Sequence, residues 1–143
     1  MKTFDREKLE HLAFNIRRNI VSTIATNGEG HVGGALSATD VGAVLFGAIM
    51  NYDPQDHQHR DMFILSAGHK CLTLYGVMAE LGVINGAELK TYNQRGTRLP
   101  GHPDATKLSC MDFSTAAWVT ACLWAAAMPW PPSSKVRAIA PMC

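Results

Sequence analysis

The chain has 143 residues, 47% of them apolar and 17% charged, with a formal net charge of +1. That length buries one ordinary hydrophobic core, and the balanced charge excludes the strongly basic surface selected by nucleic acids or anionic membranes. Met1 to Lys8 carries charge where a secretory signal would be apolar, and no apolar run reaches the roughly 18–20 residues of a membrane span, so a soluble cytoplasmic protein is expected.

From Asp5 to Asn27, Leu9, Leu12, Ala13, Ile16, Ile20, Val21 and Ile24 recur at three- and four-residue steps, which predicts an amphipathic helix stopped by Asn27-Gly28-Glu29-Gly30. Ser37-Ala38-Thr39-Asp40 has capping-box spacing, so a second helix is predicted from Ser37 to about Met50, burying Val41, Val44, Leu45, Ala48 and Ile49. Asn51-Tyr52-Asp53-Pro54 ends it, because the residue before a proline is driven out of the helical region. Met62-Phe63-Ile64-Leu65 is a short unbroken apolar run, as in a strand buried in a parallel sheet. It leads through Ser66-Ala67-Gly68-His69 into a helix predicted from about Lys70 to Leu81 and closed by Gly82. Asn85-Gly86-Ala87-Glu88 caps a shorter helix to about Tyr92. From Asn93 to Thr115, glycine, proline and polar residues without periodicity predict a loop of a length that usually carries function. One strand stands out where a doubly wound parallel sheet has about five. The fold class is therefore α/β with most of the sheet missing and a helix-rich N-terminal half.

Cys71, Cys110, Cys122 and Cys143 form no C-x-x-C pair and are expected to be free thiols. Of six histidines, three sit beside glycines at element boundaries: His31 in Gly30-His31-Val32-Gly33-Gly34, His69 in Ser66-Ala67-Gly68-His69, and His102 in Pro100-Gly101-His102-Pro103. Glycine lets backbone N–H groups come close to a ligand, and imidazole titrates near neutral pH. His69 also falls between a strand end and a helix start, where open α/β sheets bind phosphates. Taken singly, a histidine is more often structural than functional; three in one local setting point to a shared site for a phosphate or a polyol. His11, His57 and His59 read as surface residues, and His57-x-His59 lacks a third ligand for a metal.

Those three motifs, with Arg60-Asp61-x-Phe63-Ile64-Leu65 before the second and Met111-Asp112-Phe113-Ser114-Thr115 after the third, resemble the N-terminal part of transketolase. More narrowly, they resemble the separately encoded N-terminal subunit of two-chain transketolases, over about Phe4 to Thr115. The resemblance implies a partial thiamine diphosphate-binding fold, dependence on thiamine diphosphate and Mg2+, and transfer of a two-carbon ketol unit between sugar phosphates. It implies that His31 and His102 face the donor-sugar hydroxyls as catalytic residues. His69 would lie by the cofactor diphosphate, with Gly68, Ser66 and Thr115 also binding the cofactor. The implied partners are sugar phosphate substrates and a C-terminal transketolase subunit, in a hetero- or homo-oligomer.

Beyond Thr115 the sequence departs from the family, which continues with a segment resembling Gly-Ser-Leu-Gly-His-Gly-Leu-Ser-Val-Gly and then a magnesium-binding Gly-Asp-Gly. One choice of codons for that segment, read one base late, encodes Ala-Ala-Trp-Val-Thr-Ala-Cys-Leu-Trp, which is Ala116 to Trp124. Residues 1–115 are thus expected to be the family domain and residues 116–143 a non-homologous tail, disordered or frameshifted, without metal ligands. Such a chain is expected to be inactive alone. Two other readings are a fragment like 1-deoxyxylulose-5-phosphate synthase and a non-catalytic module docking on a transketolase subunit, with Trp118, Trp124 and Trp130 as its sticky surface.

Overall fold

The computed structural model describes residues 4–56 and 58–114, and residues 136–139 by their backbone. His57, Thr115, Cys122, Cys143, the three tryptophans and the shifted segment Ala116 to Trp124 lie outside the described residues.

Helix α1 spans Arg6–Asn27, within a residue of the predicted limits. The Asp5 carboxylate accepts the Lys8 N–H at 3.2 Å, satisfying a donor that the first helical turn leaves open. At the other end Gly28, at φ 73°, takes the left-handed conformation that glycine adopts without strain, and its N–H donates to the Ile24 carbonyl. Leu9, Ala13, Ile16, Ile20 and Thr23 face the core.

The second predicted helix needs correction. Residues 32–49 form α2 (Val32–Ser37), a break at Ala38, α3 (Thr39–Val44) and a wider π-helical turn over Leu45–Ile49. Ser37 does not cap Asp40: its hydroxyl donates back to the Gly34 carbonyl at 2.8 Å and closes α2. The π turn adds a residue to the helical repeat and rotates the buried face. Gly42, Ala43, Phe46 and Ala48 point inward, Val44 and Leu45 are half-buried, and Val41 and Ile49, expected inside, are 41% and 48% exposed.

Strand β1 is Met62–Leu65, as predicted. It pairs in parallel with β2 (Val136–Ile139), Met62 opposite Val136 and Leu65 opposite Ile139. Sequence reasoning missed β2 because four residues interrupted by Arg137 make no apolar run. A 3-10 turn over Gly68–Lys70 leads from β1 to α4 (Cys71–Glu80). Every residue of α4 from Cys71 to Met78 is buried, which marks it as the central helix, with α1 and α3 packed against it. Gly76 permits the close approach to α1, since a Cβ there would stand 3.1 Å from Ile16 Cγ2. The helix after Asn85 is a 3-10 helix over Gly86–Thr91, started by the Asn85 side chain accepting the Ala87 N–H at 2.9 Å.

Beneath β1, Phe46 meets the rings of Tyr52 and Phe63 edge-on at 5.1 and 5.0 Å. The Arg60 guanidinium lies 4.8 Å above the Tyr52 ring and forms a buried ion pair with Asp112, which also accepts the Phe63 N–H at 3.0 Å. That carboxylate ties the far end of the long 93–114 segment to the start of β1.

Candidate functional site

The glycines beside His31 bring its loop down onto the helices. A Cβ on Gly30 would come within 2.9 Å of Ile24 on α1 and 3.1 Å of Leu72 on α4, and its φ of 143° is one that side-chain-bearing residues rarely adopt. The chain therefore passes close over both helices before His31, at the N-cap position of α2. Gly34, one turn into α2, faces His69: a Cβ there would lie 3.1 Å from His69 Cδ2 and 3.4 Å from Nε2. The bare backbone of α2 is thus a cradle for that ring. The His31 and His69 centroids stand 5.6 Å apart with their planes at 62°.

His69 itself lies in the 3-10 turn that opens α4. The helix start holds His102 as well, through the peptides that precede it. The Tyr75 hydroxyl donates to the Pro100 carbonyl at 2.8 Å, and the Cys71 thiol donates to the Gly101 carbonyl at 3.1 Å. Burial pushes the Cys71 thiol up to about 11 and raises the Tyr75 phenol far above its usual value, so both keep the protons that make these bonds.

The rings of His31 and His69 therefore meet, and His102 stands near enough for its charge to act on His69. Partial burial first, and then the charges of His31, Lys70 and His102, hold His69 below its ordinary value and favour the neutral ring. His31 and His102 are exposed and His69 half-buried, so the three rings offer donors and acceptors to a ligand from outside. Ser66 and Gly68 are buried in the turn between β1 and α4. His59 instead pairs with Asp56 at 3.0 Å on the surface, and His11 lies 3.4 Å from its helix neighbour Asn15. Among the described residues, no group of three or more His, Cys, Asp or Glu is placed to hold a metal ion.

Sequence reasoning missed the supporting roles of Cys71 and Tyr75. The available signal was polar chemistry inside an otherwise apolar helix, because a buried hydroxyl or thiol there implies a fixed hydrogen-bond partner.

Comparison with known proteins gives the class of domain to which this fold belongs. The family model described as transketolase, thiamine diphosphate binding domain, matches residues 9–120, more than half of the chain. The chain belongs to that family. It is 37% identical over 111 residues to the 6-deoxy-6-sulfo-D-fructose transketolase subunit SqwG of Clostridium sp. (strain MSTE9), covering 76% of this chain and 40% of that one. It is 38% identical over 118 residues to Homo sapiens transketolase, covering 79% of this chain and 19% of the relative. The transketolase structure from Leishmania mexicana superposes with a TM-score of 0.71 at 28% identity, over 81% of this chain and 17% of that one. The chain thus spans less than half the length of these relatives. Among the described residues no helix is long and apolar enough to cross a membrane.

Proposed function

We propose that this chain forms the three-histidine wall of a thiamine diphosphate site in a transketolase, an enzyme moving a two-carbon ketol unit between sugar phosphates. The observation that carries this reading is the contact of the His31 and His69 rings, with the Gly34 cradle against His69 and the charge of His102 acting on it, in a chain of this family. The residues fit the cofactor: a half-buried imidazole at the start of a ten-residue helix suits a diphosphate, since ring N–H and helix end both favour anionic oxygens. His69, with Ser66 and Gly68 just before it in sequence, would hold that end, together with Thr115. When bound, thiamine diphosphate supplies the carbanion chemistry. His31 and His102 bind and orient the donor-sugar hydroxyls, and imidazoles there can take a proton from a hydroxyl oxygen or return it near neutral pH.

Magnesium belongs to the same reading through the family, but the family's ligand motif is not in this sequence and we assign no residue to it. A separately encoded C-terminal transketolase subunit is the inferred partner, supported by relatives that are themselves named as subunits of transketolases, one for 6-deoxy-6-sulfo-D-fructose and one, from Actinobacillus succinogenes, for apulose-4-phosphate. On this reading the chain works in the cytoplasm and is inactive alone. The segment after Thr115 is a frameshifted stretch, which resequencing of the gene would test directly.

Histidine-labelled chain titrated with millimolar thiamine diphosphate and Mg2+ tests the site. The ring resonances of His31, His69 and His102 are expected to move while those of His11 and His59 stay. A trio that does not move, or that moves no more than His11 and His59, refutes the reading. Ketol transfer should appear only after a C-terminal subunit is added.

A further inference from the structure

Among the described residues Asn93 alone holds a left-handed backbone without being glycine, at φ 56°. Asparagine tolerates that region, but such a residue invites the question of what its side chain secures. Here the amide reaches in two directions. Its Nδ2 donates to Glu29 Oε1 at 2.9 Å, two residues before His31, and its Oδ1 accepts the Gly101 N–H at 3.1 Å, one residue before His102. The backbone N–H of Asn93 donates to the Leu99 carbonyl, so the chain turns back and delivers Pro100 and Gly101 to the same place. Gln94 adds a bond from Nε2 to Asn27 Oδ1 at 2.9 Å, seating the turn on the end of α1. Gly101 leaves room for the contact, since a Cβ there would stand 3.3 Å from Asn93 Oδ1.

The two ends of the amide are not interchangeable with those of a carboxylate. A donor must face Glu29 and an acceptor must face the Gly101 N–H, so aspartate at this position would set two carboxylates against each other.

We propose that Asn93 is a positioning residue whose side-chain amide ties the His31 loop to the His102 loop and sets the spacing of the two imidazoles. The functional part rests on those imidazoles sharing one ligand; the tie itself does not.

The test uses the ligand-free, full 143-residue chain. Asn93→Gly keeps the left-handed backbone and removes the amide. It is expected to raise the hydrogen-exchange rate of the Gly101 amide about tenfold and to move the ring resonances of His31 and His102, while the amides of α4 exchange as before. Asn93→Asp should move the His31 ring, and the exchanged pair Asn93→Asp with Glu29→Gln, which restores a donor facing an acceptor, should bring it back. Unchanged Gly101 exchange and unmoved rings in Asn93→Gly overturn the proposal. So does a double variant no closer to wild type than Asn93→Asp, and that pair decides the matter if Asn93→Gly does not fold. Thiamine diphosphate titration of the wild type separates the two claims: a trio blind to ligand refutes the shared site and leaves the tie standing.

Discussion

Gly34→Ala separates the stability of α2 from the placement of His69. Gly34 lies inside α2 and is not among the glycines with positive φ, so alanine fits the backbone and should favour the helix by about 0.5–1 kcal/mol. Against this, the new methyl would stand 3.1 Å from His69 Cδ2 and 3.4 Å from Nε2, closer than ordinary contact, so the ring must give way by a few tenths of an ångström. Neighbouring Gly33 is the control: a Cβ there meets nothing within 4 Å. Gly33→Ala is therefore expected to raise the melting temperature by about 2–4 °C for a domain of this size, with the His69 resonances unchanged. Gly34→Ala should gain less than this or lose stability, because displacing a packed ring offsets the helical gain. Its His69 ring resonances should shift, and bound thiamine diphosphate should weaken about tenfold through loss of one charge-assisted contact. Thermal denaturation and histidine NMR on the two variants decide it. If Gly34→Ala matches Gly33→Ala in both, the cradle is not what places the ring.

Asp112→Ala would leave Arg60 buried without its counter-charge; with the paired side chains 2% and 5% exposed, the cost is expected to be about 3–5 kcal/mol in urea denaturation, and a loss below about 1 kcal/mol would contradict the pairing. Tyr75→Phe removes the 2.8 Å bond to Pro100, and is expected to cost about 1 kcal/mol and to shift the His102 ring resonances while those of His31 stay. His69 is held below its ordinary value, so between that folded value and about 6.5 the unfolded chain binds more protons. Its contribution to stability is complete above about pH 6.5 and is lost as the pH falls towards the folded value. Urea midpoints followed downward from neutral pH should therefore drop more for wild type than for His69→Gln; parallel curves would remove His69 as the cause. An anionic ligand at His69 reverses the shift, so binding should take up a proton near neutral pH, readable by calorimetry in buffers of different ionisation heat.

What the sequence discloses follows the range of the interactions involved. Helix α1 and strand β1 were legible because their determinants are local: Asp5 and Gly28 act on the turns beside them, and Met62 to Leu65 is apolar without a gap. The 32–49 stretch was misread because the Ser37 hydroxyl had two acceptable partners, and the spacing rule names only one of them. What stabilises the actual break lies partly outside the segment: the Ala35 carbonyl accepts the Thr39 hydroxyl at 3.2 Å and the Thr73 hydroxyl, from α4, at 2.6 Å. No local pattern reveals that second donor.

The same contrast explains the site. Each candidate histidine stands out by its glycine neighbours, but the supports that place it do not, because the 93–114 segment has no periodicity and its path depends on distant bonds such as those from Cys71 and Tyr75. Helix α4 carries His69 in its opening turn and, through Cys71 and Tyr75, grips the peptides just before His102. One buried helix therefore sets the relation of those two imidazoles. His31 comes from the other side of the cluster, between α1 and α2, and reaches the pair through the Gly34 contact and the Asn93 amide. Changes in α4 should displace His69 and His102 together, whereas changes at Gly34 or Asn93 should alter how His31 meets them, so the two kinds of variant ought to give distinct patterns of ring shifts.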